Sequence, residues 1–326
     1  MKRGLIFISF FSFLINAFSQ ENQSFTIGFY NVENLFDTVH DYGKDDYEYL
    51  PESAKGWNTP RYNLKLQHTA RVLLAMDNWK GADIVGLCEV ENFKVLKDLR
   101  DKTFLSEFNY GIIHEESNDK RGIDVALLYK KSKFSILSTI SHRVNLEARQ
   151  TRDILHVKGI ANKKDTIHVF VNHWPSRWGG KAKSSQKRIK AAKTLRNVID
   201  SLKRAEKNPK IIIMGDFNDA CTDRSIETIL TAIADTNSFL YNTATDIEGT
   251  HKYKEQWSTF DQIMVSKALI QNRMLTDLKM QVFKTDWLIE IDELYGGTHP
   301  YRTWRGDNYL GGYSDHLAVY IRLNTK

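Results

Sequence analysis

Short apolar runs recur along the whole chain, and most of them stop at a polar residue or a glycine. Residues 25–30 are rich in aromatic and β-branched side chains and end at Asn31. The runs at 83–88, 123–129, 154–160, 167–171, 211–214, 260–265 and 317–323 behave alike. Their length, branched content and flanking polar or glycine residues predict strands rather than helices. Two segments carry a different period. Residues 63–79 place Leu66, Ala70, Leu73, Leu74 and Met76 on one face. Residues 185–206 place Ile189, Ala192, Leu195, Ile199 and Leu202 at steps of three and four, with Lys and Arg between them. Both predict amphipathic helices with one buried stripe and one solvated face. Strands outnumber helices, and the helices fall between strands, which predicts an α/β layered protein with sheet packed on sheet and helices outside.

No repeat, low-complexity tract or Pro/Gly/Ser linker divides the chain, and its five prolines give little punctuation. One domain over residues 24–323 is expected. The polar segment 37–62, rich in Tyr and Asp, lacks the period of a core element. It reads as a functional loop or a solvated excursion; a second cation such as Ca²⁺ is conceivable there, but no EF-hand pattern is present.

The first residues differ from the rest. Lys2 and Arg3 precede an apolar run from Leu5 to Ile15, and Ala17 and Ser19 stand at −3 and −1 of a cleavage site before Gln20. This is the layout of a signal peptide over residues 1–19. The run is shorter than the roughly 20 residues of a spanning helix, so the expectation is a secreted or periplasmic mature chain. Cleavage removes two positive charges and no negative one, taking the formal net charge from +6 to +4 (6 − 2 = 4). A mildly basic chain permits a polyanionic partner without requiring one. With 41% hydrophobic and 26% charged residues, disordered and fibrous classes are excluded. Cys88 and Cys221 are the two cysteines. Export permits a disulfide; two buried thiols in strand or turn packing are the favoured reading, and neither spacing nor neighbours suggest a zinc site.

Candidate chemistry sits where the strands end. Asn31 follows the first strand and Glu89 the second. Asn172 and His173 follow a third, Asp216 and Asn218 a fourth, and Asp315 and His316 precede the last. A carboxylate directly after a buried strand is costly unless it meets solvent, a partner or a metal. Five such ends suggest one shared polar cleft. Asp, Glu and Asn oxygens suit hard cations such as Mg²⁺ or Mn²⁺, a usual arrangement for phosphoryl chemistry. His173, His316 and Asp216 supply groups that move protons or stabilise charge on phosphorus. Arg121, Arg149, Arg152, Arg177, Lys181 and Lys183 lie near these motifs and suit phosphate binding as a set, although each alone reads as a surface ion pair. Trp174, Trp178, Trp304 and Tyr313 are candidates for base stacking or for core packing.

Taken in order, the segments Tyr30-Asn31-Val32-Glu33, Leu87-Cys88-Glu89-Val90, Asn172-His173-Trp174, Gly215-Asp216-Phe217-Asn218, Thr259-Phe260-Asp261-Gln262 and Ser314-Asp315-His316 resemble the endonuclease/exonuclease/phosphatase superfamily over roughly residues 25–323. The resemblance implies a four-layer α/β sandwich with two packed central β-sheets flanked by helices. It implies that Glu89 is the principal metal ligand, with Asn31 beside it and Asp315 as a second metal-side carboxylate. Asp216 resembles the group that orients or deprotonates the attacking water, and Asn218 an amide on a phosphate oxygen. His316 resembles the imidazole that contacts the scissile phosphate or serves as acid/base, Asp261 its orienting partner, and His173 the second histidine of the deoxyribonuclease-like and sphingomyelinase-like branches. Which histidine is acid and which is base stays open. Glu33 stands where many relatives have Asp, and reads equally as a ligand-side or a surface carboxylate. Glu91 and Asp219 read as outer or solvated.

The expected function is a metal-dependent phosphodiesterase using in-line attack of activated water, with nucleic acid as the favoured substrate. The alternatives are a sphingomyelinase-like phospholipid phosphodiesterase, a sugar or inositol phosphatase, and a non-catalytic binding protein on the same fold. No unambiguous membrane-inserting aromatic hairpin supports the lipid reading. The complete set Glu89, Asp216, Asn218, Asp315 and His316 argues against a non-catalytic protein.

Overall fold

The computed structural model describes residues 23–146, 150–272 and 274–325; the predicted leader and Arg149 lie outside them. A six-stranded sheet has the order β14 (Gln281–Val282), β19 (Val319–Thr325), β1 (Gln23–Leu35), β2 (Ile84–Val90), β4 (Asp124–Lys130) and β3 (Tyr110–His114). A seven-stranded sheet has the order β5 (Phe134–His142), β6 (Ile154–Ala161), β7 (Asp165–His173), β8 (Ile211–Asp216), β13 (Asp261–Ser266), β10 (Leu240–Asn242) and β9 (Ala232–Ile233). Three hairpins complete the list: β11 (His251–Tyr253) with β12 (Gln256–Ser258), β15 (Ile289–Ile291) with β16 (Thr298–Pro300), and β17 (Trp304–Arg305) with β18 (Asn308–Tyr309).

The alternation of side chains along each strand decides what packs where. Phe25, Ile27 and Phe29 of β1 turn inward and share one core with Val157, Val169, Ile212 and Met214 of the other sheet. Tyr30 and Val32 turn the opposite way, onto α1 (Thr59–Ala75) and α2 (Phe93–Asp101). Behind the second sheet, Phe170, Ile211 and Ile213 meet Ala192, Leu195 and Ile199 of α3 (Lys181–Ala205). The result is helix, sheet, sheet, helix: the four-layer sandwich that the resemblance implied.

Two parallel pairs set the position of the polar residues. β1 runs parallel to β2 across the α1 crossover, and β7 runs parallel to β8 across α3. Their C-terminal ends therefore lie at one edge, where Asn31 is level with Cys88 and His173 with Asp216. β13 enters the same edge with Asp261 level with Asp216. Gly215 permits this closeness, since a Cβ there would stand 2.4 Å from the Asn172 carbonyl oxygen.

All eight expected strands form. The first helix starts at Thr59 rather than at 63, because the Asn58 side chain caps it through the Arg61 amide at 3.2 Å. It stops at Ala75 rather than at 79: Asn78 and Trp79 have φ of 52° and 64°, outside the helical region. The third helix begins at Lys181, four residues before the expected start. Strand β3, strand β5 and helix α2 are additional to the expected elements; α2 is amphipathic but spans only nine residues. Segment 37–62 is largely solvent-facing but pinned to the core at a few residues. Trp57 is fully buried and donates to the Phe36 carbonyl at 3.0 Å, and Tyr49 stacks on Phe36 at 4.1 Å. Both cysteines are free thiols, Cys88 inside the sheet interface and Cys221 half-buried. Among the described residues, no helix is long and apolar enough to cross a membrane.

Beneath α3, three histidines from adjacent strands form a hydrogen-bonded ladder. His142 Nε2 lies 3.3 Å from His156 Nδ1, His156 Nε2 lies 2.9 Å from His168 Nδ1, and His168 Nε2 lies 3.1 Å from a Glu206 carboxylate oxygen. Burial, then the neighbouring His168, lowers His156 to about 3. A base whose folded pKa is depressed contributes stability that is fully present above its unfolded value near 6.5 and is lost as the pH falls toward the folded value. We expect wild-type stability, measured by urea unfolding, to fall by about 1–3 kcal/mol between pH 7 and pH 4 through this group. His156→Gln should remove most of that slope. An equal slope in the variant would place the acid sensitivity elsewhere.

Candidate active site

The edge where the parallel pairs end gathers Asn31, Glu89, His173, Asp216, Asn218, Asp261 and His316. The backbone is bent to make this possible. β1 and β2 both shift register there, after Asn31 and after Cys88, and Glu33, Glu89 and Asn218 have φ of 50°, 62° and 51°. Left-handed backbone at non-glycine residues costs of order 1 kcal/mol each and concentrates at functional sites. At Glu89 the bulge turns the carboxylate out of the sheet toward the cleft, 18% exposed.

Asn31 ties the two sheets. Its Nδ2 donates to Glu89 Oε1 of the first sheet and to Asp216 Oδ2 of the second, both at 3.2 Å. Its Oδ1 is occupied by the Glu33 amide at 3.0 Å, which fixes which end of the amide faces the carboxylates. The Asn34 amide holds the other Glu89 oxygen at 3.0 Å. Asp216 Oδ1 accepts the Asn218 amide at 2.9 Å, and Asn218 Nδ2 reaches the Trp174 carbonyl at 3.1 Å and Asp216 Oδ2 at 3.2 Å.

Two histidines flank Asp216. His173 Nε2 stands 3.7 Å from both Glu89 and Asp216, and its Nδ1 is buried without a partner. Burial, with Arg152 and Arg121 nearby, holds its pKa well below the ordinary range, so this imidazole is neutral. On the other side His316 Nε2 stands 4.0 Å from Asp216, while its Nδ1 meets Asp261 at 2.7 Å. Burial opposes charge on His316, but the carboxylates of Asp261, Asp315 and Asp216 outweigh it and hold the ring cationic. Ser314 prepares this arrangement: its hydroxyl donates to the Asn31 carbonyl at 2.7 Å and accepts the His316 amide at 3.1 Å.

Asp315 is engaged by Arg302 and His251: it accepts from the first at 2.8 Å and lies 3.9 Å from the second. Burial would raise it, but His316 and Arg302 bring it down to about 2. His251 escaped the sequence reading, although it bridges His316 from the β11 hairpin and can share a cation with Asp315 and His316. A histidine in a three-residue strand leaves no pattern in the sequence.

The arginines are more committed than expected. Arg152 is buried, donating to Asp119 at 3.1 Å and to the Trp174 carbonyl at 2.8 Å. Arg177 is used by Asp223 at 2.8 Å and the Asn218 carbonyl at 2.7 Å, and stacks on Phe260. Neither guanidinium is free to grip phosphate whole. Arg121, 40% exposed beside Asp119, is the accessible one of the three. Glu33 is buried rather than at the surface, accepting the Thr303 and Trp304 amides at 2.6 and 3.1 Å, and burial, then Asp315, raises it to about 7. Asp219 is buried against Arg188 at 2.7 Å, and Glu91 receives the Asp37 amide at 2.7 Å, so neither is solvated. Trp174 and Trp304 pack in the cores, and Tyr313 packs with them. Trp178 is 89% exposed.

The buried Asp216 and the half-buried Glu89, both held by Asn31 Nδ2, fit a hard divalent cation, and the left-handed backbone at Glu89 serves to present an oxygen there. Burial raises Asp216 to about 7, the cost of placing a second carboxylate next to Glu89 and Asp261. A cation held at Glu89 would offset that cost.

Comparison with known proteins agrees with the geometry. The Endonuclease/Exonuclease/phosphatase family matches residues 26–325, and the chain belongs to that family. It is accordingly a phosphoester hydrolase of a class that generally depends on a divalent metal. Among solved structures, a family member from Bacteroides thetaiotaomicron superposes with a TM-score of 0.60 at 18% identity, covering 92% of this chain and 98% of its own. A mannosyl-6-phosphatase of the same organism gives 0.59 at 18%, covering 92% and 99%. Truncated TDP2 of Caenorhabditis elegans gives 0.56 at 14%, covering 93% and 98%. At these identities the likeness shows the fold. No curated protein matches the chain.

The His316–Asp261 pair gives a direct test. Asp261→Asn should lower kcat on a chromogenic phosphodiester by roughly 10²–10⁴-fold, with little change in Tm. Wild-type turnover in the variant would remove the pair from the chemistry.

Proposed function

We propose that this protein is an exported, Mg²⁺- or Mn²⁺-dependent phosphodiesterase acting on a nucleic-acid strand. The observation that carries the reading is a depression on each side of the Asp216 cluster. One, of about 300 Å³, lies beside Arg152 and is lined by Arg121, Gln150, Trp178 and Lys187. The other, of about 670 Å³, lies beside Asp315 and Arg302 and is lined by Lys254, Tyr253 and Tyr295, with the Lys252 ammonium used by Asp292 beneath them. A diester has a chain on both sides of its phosphorus, and cations with exposed aromatics suit a strand's phosphates and bases. A solved zebrafish TDP2, at 16% identity, carries a single-strand DNA product. The leader-like residues 1–19 support export.

In this mechanism Glu89, with Asn31 against it, would hold the cation. When bound, it supplies positive charge to the phosphate oxygens. Asp216 orients a water and takes its proton as the water oxygen bonds to phosphorus. The P–O bond on the far side breaks in line, and cationic His316 gives its proton to the leaving oxygen. Asp261 holds that ring in place. Neutral His173 donates to a phosphate oxygen, Asn218 steadies Asp216 through its side-chain amide, and inversion at phosphorus follows.

One observation favours a second reading. Glu290, Asp292 and Glu293 also line the larger depression. Acidic side chains repel a second phosphate but bind hydroxyl groups, which suits a sugar phosphomonoester.

Purified protein with Mg²⁺ should cleave single-stranded DNA or RNA faster than sugar phosphates or sphingomyelin, and chelator should abolish turnover. Asp216→Asn and His316→Ala should each lose at least about 10²-fold. Faster turnover of a sugar phosphate, with no strand cleavage, would establish the second reading and overturn the first.

A further inference from the structure

One strand over from Glu89, at the base of the segment that carries Asp119, three metal-ligating side chains converge. His114 closes β3, Asp124 opens β4, and Glu116 stands between them. One ligand atom of each lies within 4.8 Å of the other two. His114 and Asp124 are almost fully buried, with side-chain exposures of 2% and 1%. Their facing atoms, His114 Nε2 and Asp124 Oδ2, have no hydrogen-bond partner. The two atoms are 3.5 Å apart, too far for a good hydrogen bond. That separation matches two ligands on one ion, since bonds of about 2.1 Å at a tetrahedral angle put ligand atoms about 3.4 Å apart.

The surroundings orient these groups without satisfying them. The Ser117 amide donates to Asp124 Oδ1 at 2.9 Å, which leaves Oδ2 pointing at His114. Lys44 is the cation alongside. Its ammonium donates to the Ser117 and Asp119 carbonyls at 3.1 and 3.4 Å and touches Glu116 at 3.5 Å. No contact joins it to Asp124 Oδ2, whose facing neighbour is His114 Nε2 at 3.5 Å. Glu116 is half exposed, so its carboxylate is free to swing onto an ion held by the other two.

We propose that His114, Glu116 and Asp124 form a second metal site, separate from the catalytic one, that takes a divalent transition-metal ion with Zn²⁺ fitting best. One imidazole with two carboxylates and an open fourth position is a zinc-type donor set, whereas Ca²⁺ and Mg²⁺ take oxygen ligands. The ion would close the base of the segment 115–123. That segment carries Asp119, which anchors Arg121 and Arg152 beside the cleft. The site is thus a staple on the arginine side of the active centre.

The test uses a background in which the catalytic ligands are disabled, Glu89→Gln/His316→Ala. The metal-free double variant, titrated with Zn²⁺ by calorimetry, should take up one ion per chain and gain in Tm. Ca²⁺ should not displace it. Co²⁺ should give a visible absorption band of low-symmetry coordination. Adding His114→Gln should abolish both uptake and band. Because a buried substitution can disturb folding, Glu116→Gln is the second variant; its exposed side chain leaves the fold intact, and it should weaken uptake at least tenfold. No Zn²⁺ uptake by the background protein, or uptake unchanged by both substitutions, would overturn the proposal and leave His114 and Asp124 as a buried ion pair.

Discussion

The catalytic edge depends on one side chain placed between two sheets. Asn31 stands at the end of β1 with its amide nitrogen between Glu89 and Asp216, and its oxygen fixed by the Glu33 amide. Those two carboxylates belong to different sheets. They approach because the inner faces of β1, β2, β7 and β8 share one apolar core, and because both parallel pairs end at the same edge. Burying two acids together is unfavourable, as the raised pKa of Asp216 records. The sandwich supplies the apolar burial that offsets it, and a divalent cation suits what remains.

Around that junction the site is asymmetric. His173 is buried near arginines and neutral, while His316 is buried among carboxylates and charged. One residue type thus acquires two protonation states from its neighbours. The asymmetry extends outward: Asp119, Arg152 and Arg121 lie on the His173 side, and Arg302, Asp315 and His251 on the His316 side.

Strand ends were the legible part of the sequence. Continuous apolar runs such as 211–214 mark buried strands, and polar residues directly after them mark an edge that must be polar. Glu89, Asp216, Asn218 and His316 stand out for that reason, as does Asp261 once the ordered motifs are taken together. Residues on short or irregular segments gave no such signal. His251 sits in a three-residue hairpin strand, and Asp119 and Arg302 lie in loops. Glu33 carries a charge that a sequence reading places near water, yet two backbone amides from residues 303 and 304 hold it inside.

The sequence by itself determined the alternation of strands and two long helices, the α/β class, and the residue types of the centre. These follow from local periodicity and from the expense of polar groups beside buried strands. Only the tertiary structure decided which polar residues meet. It put Asn31 between Glu89 and Asp216, turned Asp315 toward Arg302, buried Arg152 against Asp119, and left Cys88 and Cys221 apart as thiols. The physical reason is that such contacts join residues up to some 280 positions apart, as Ser314 joins Asn31. No local pattern encodes a pairing that the packing of two sheets creates.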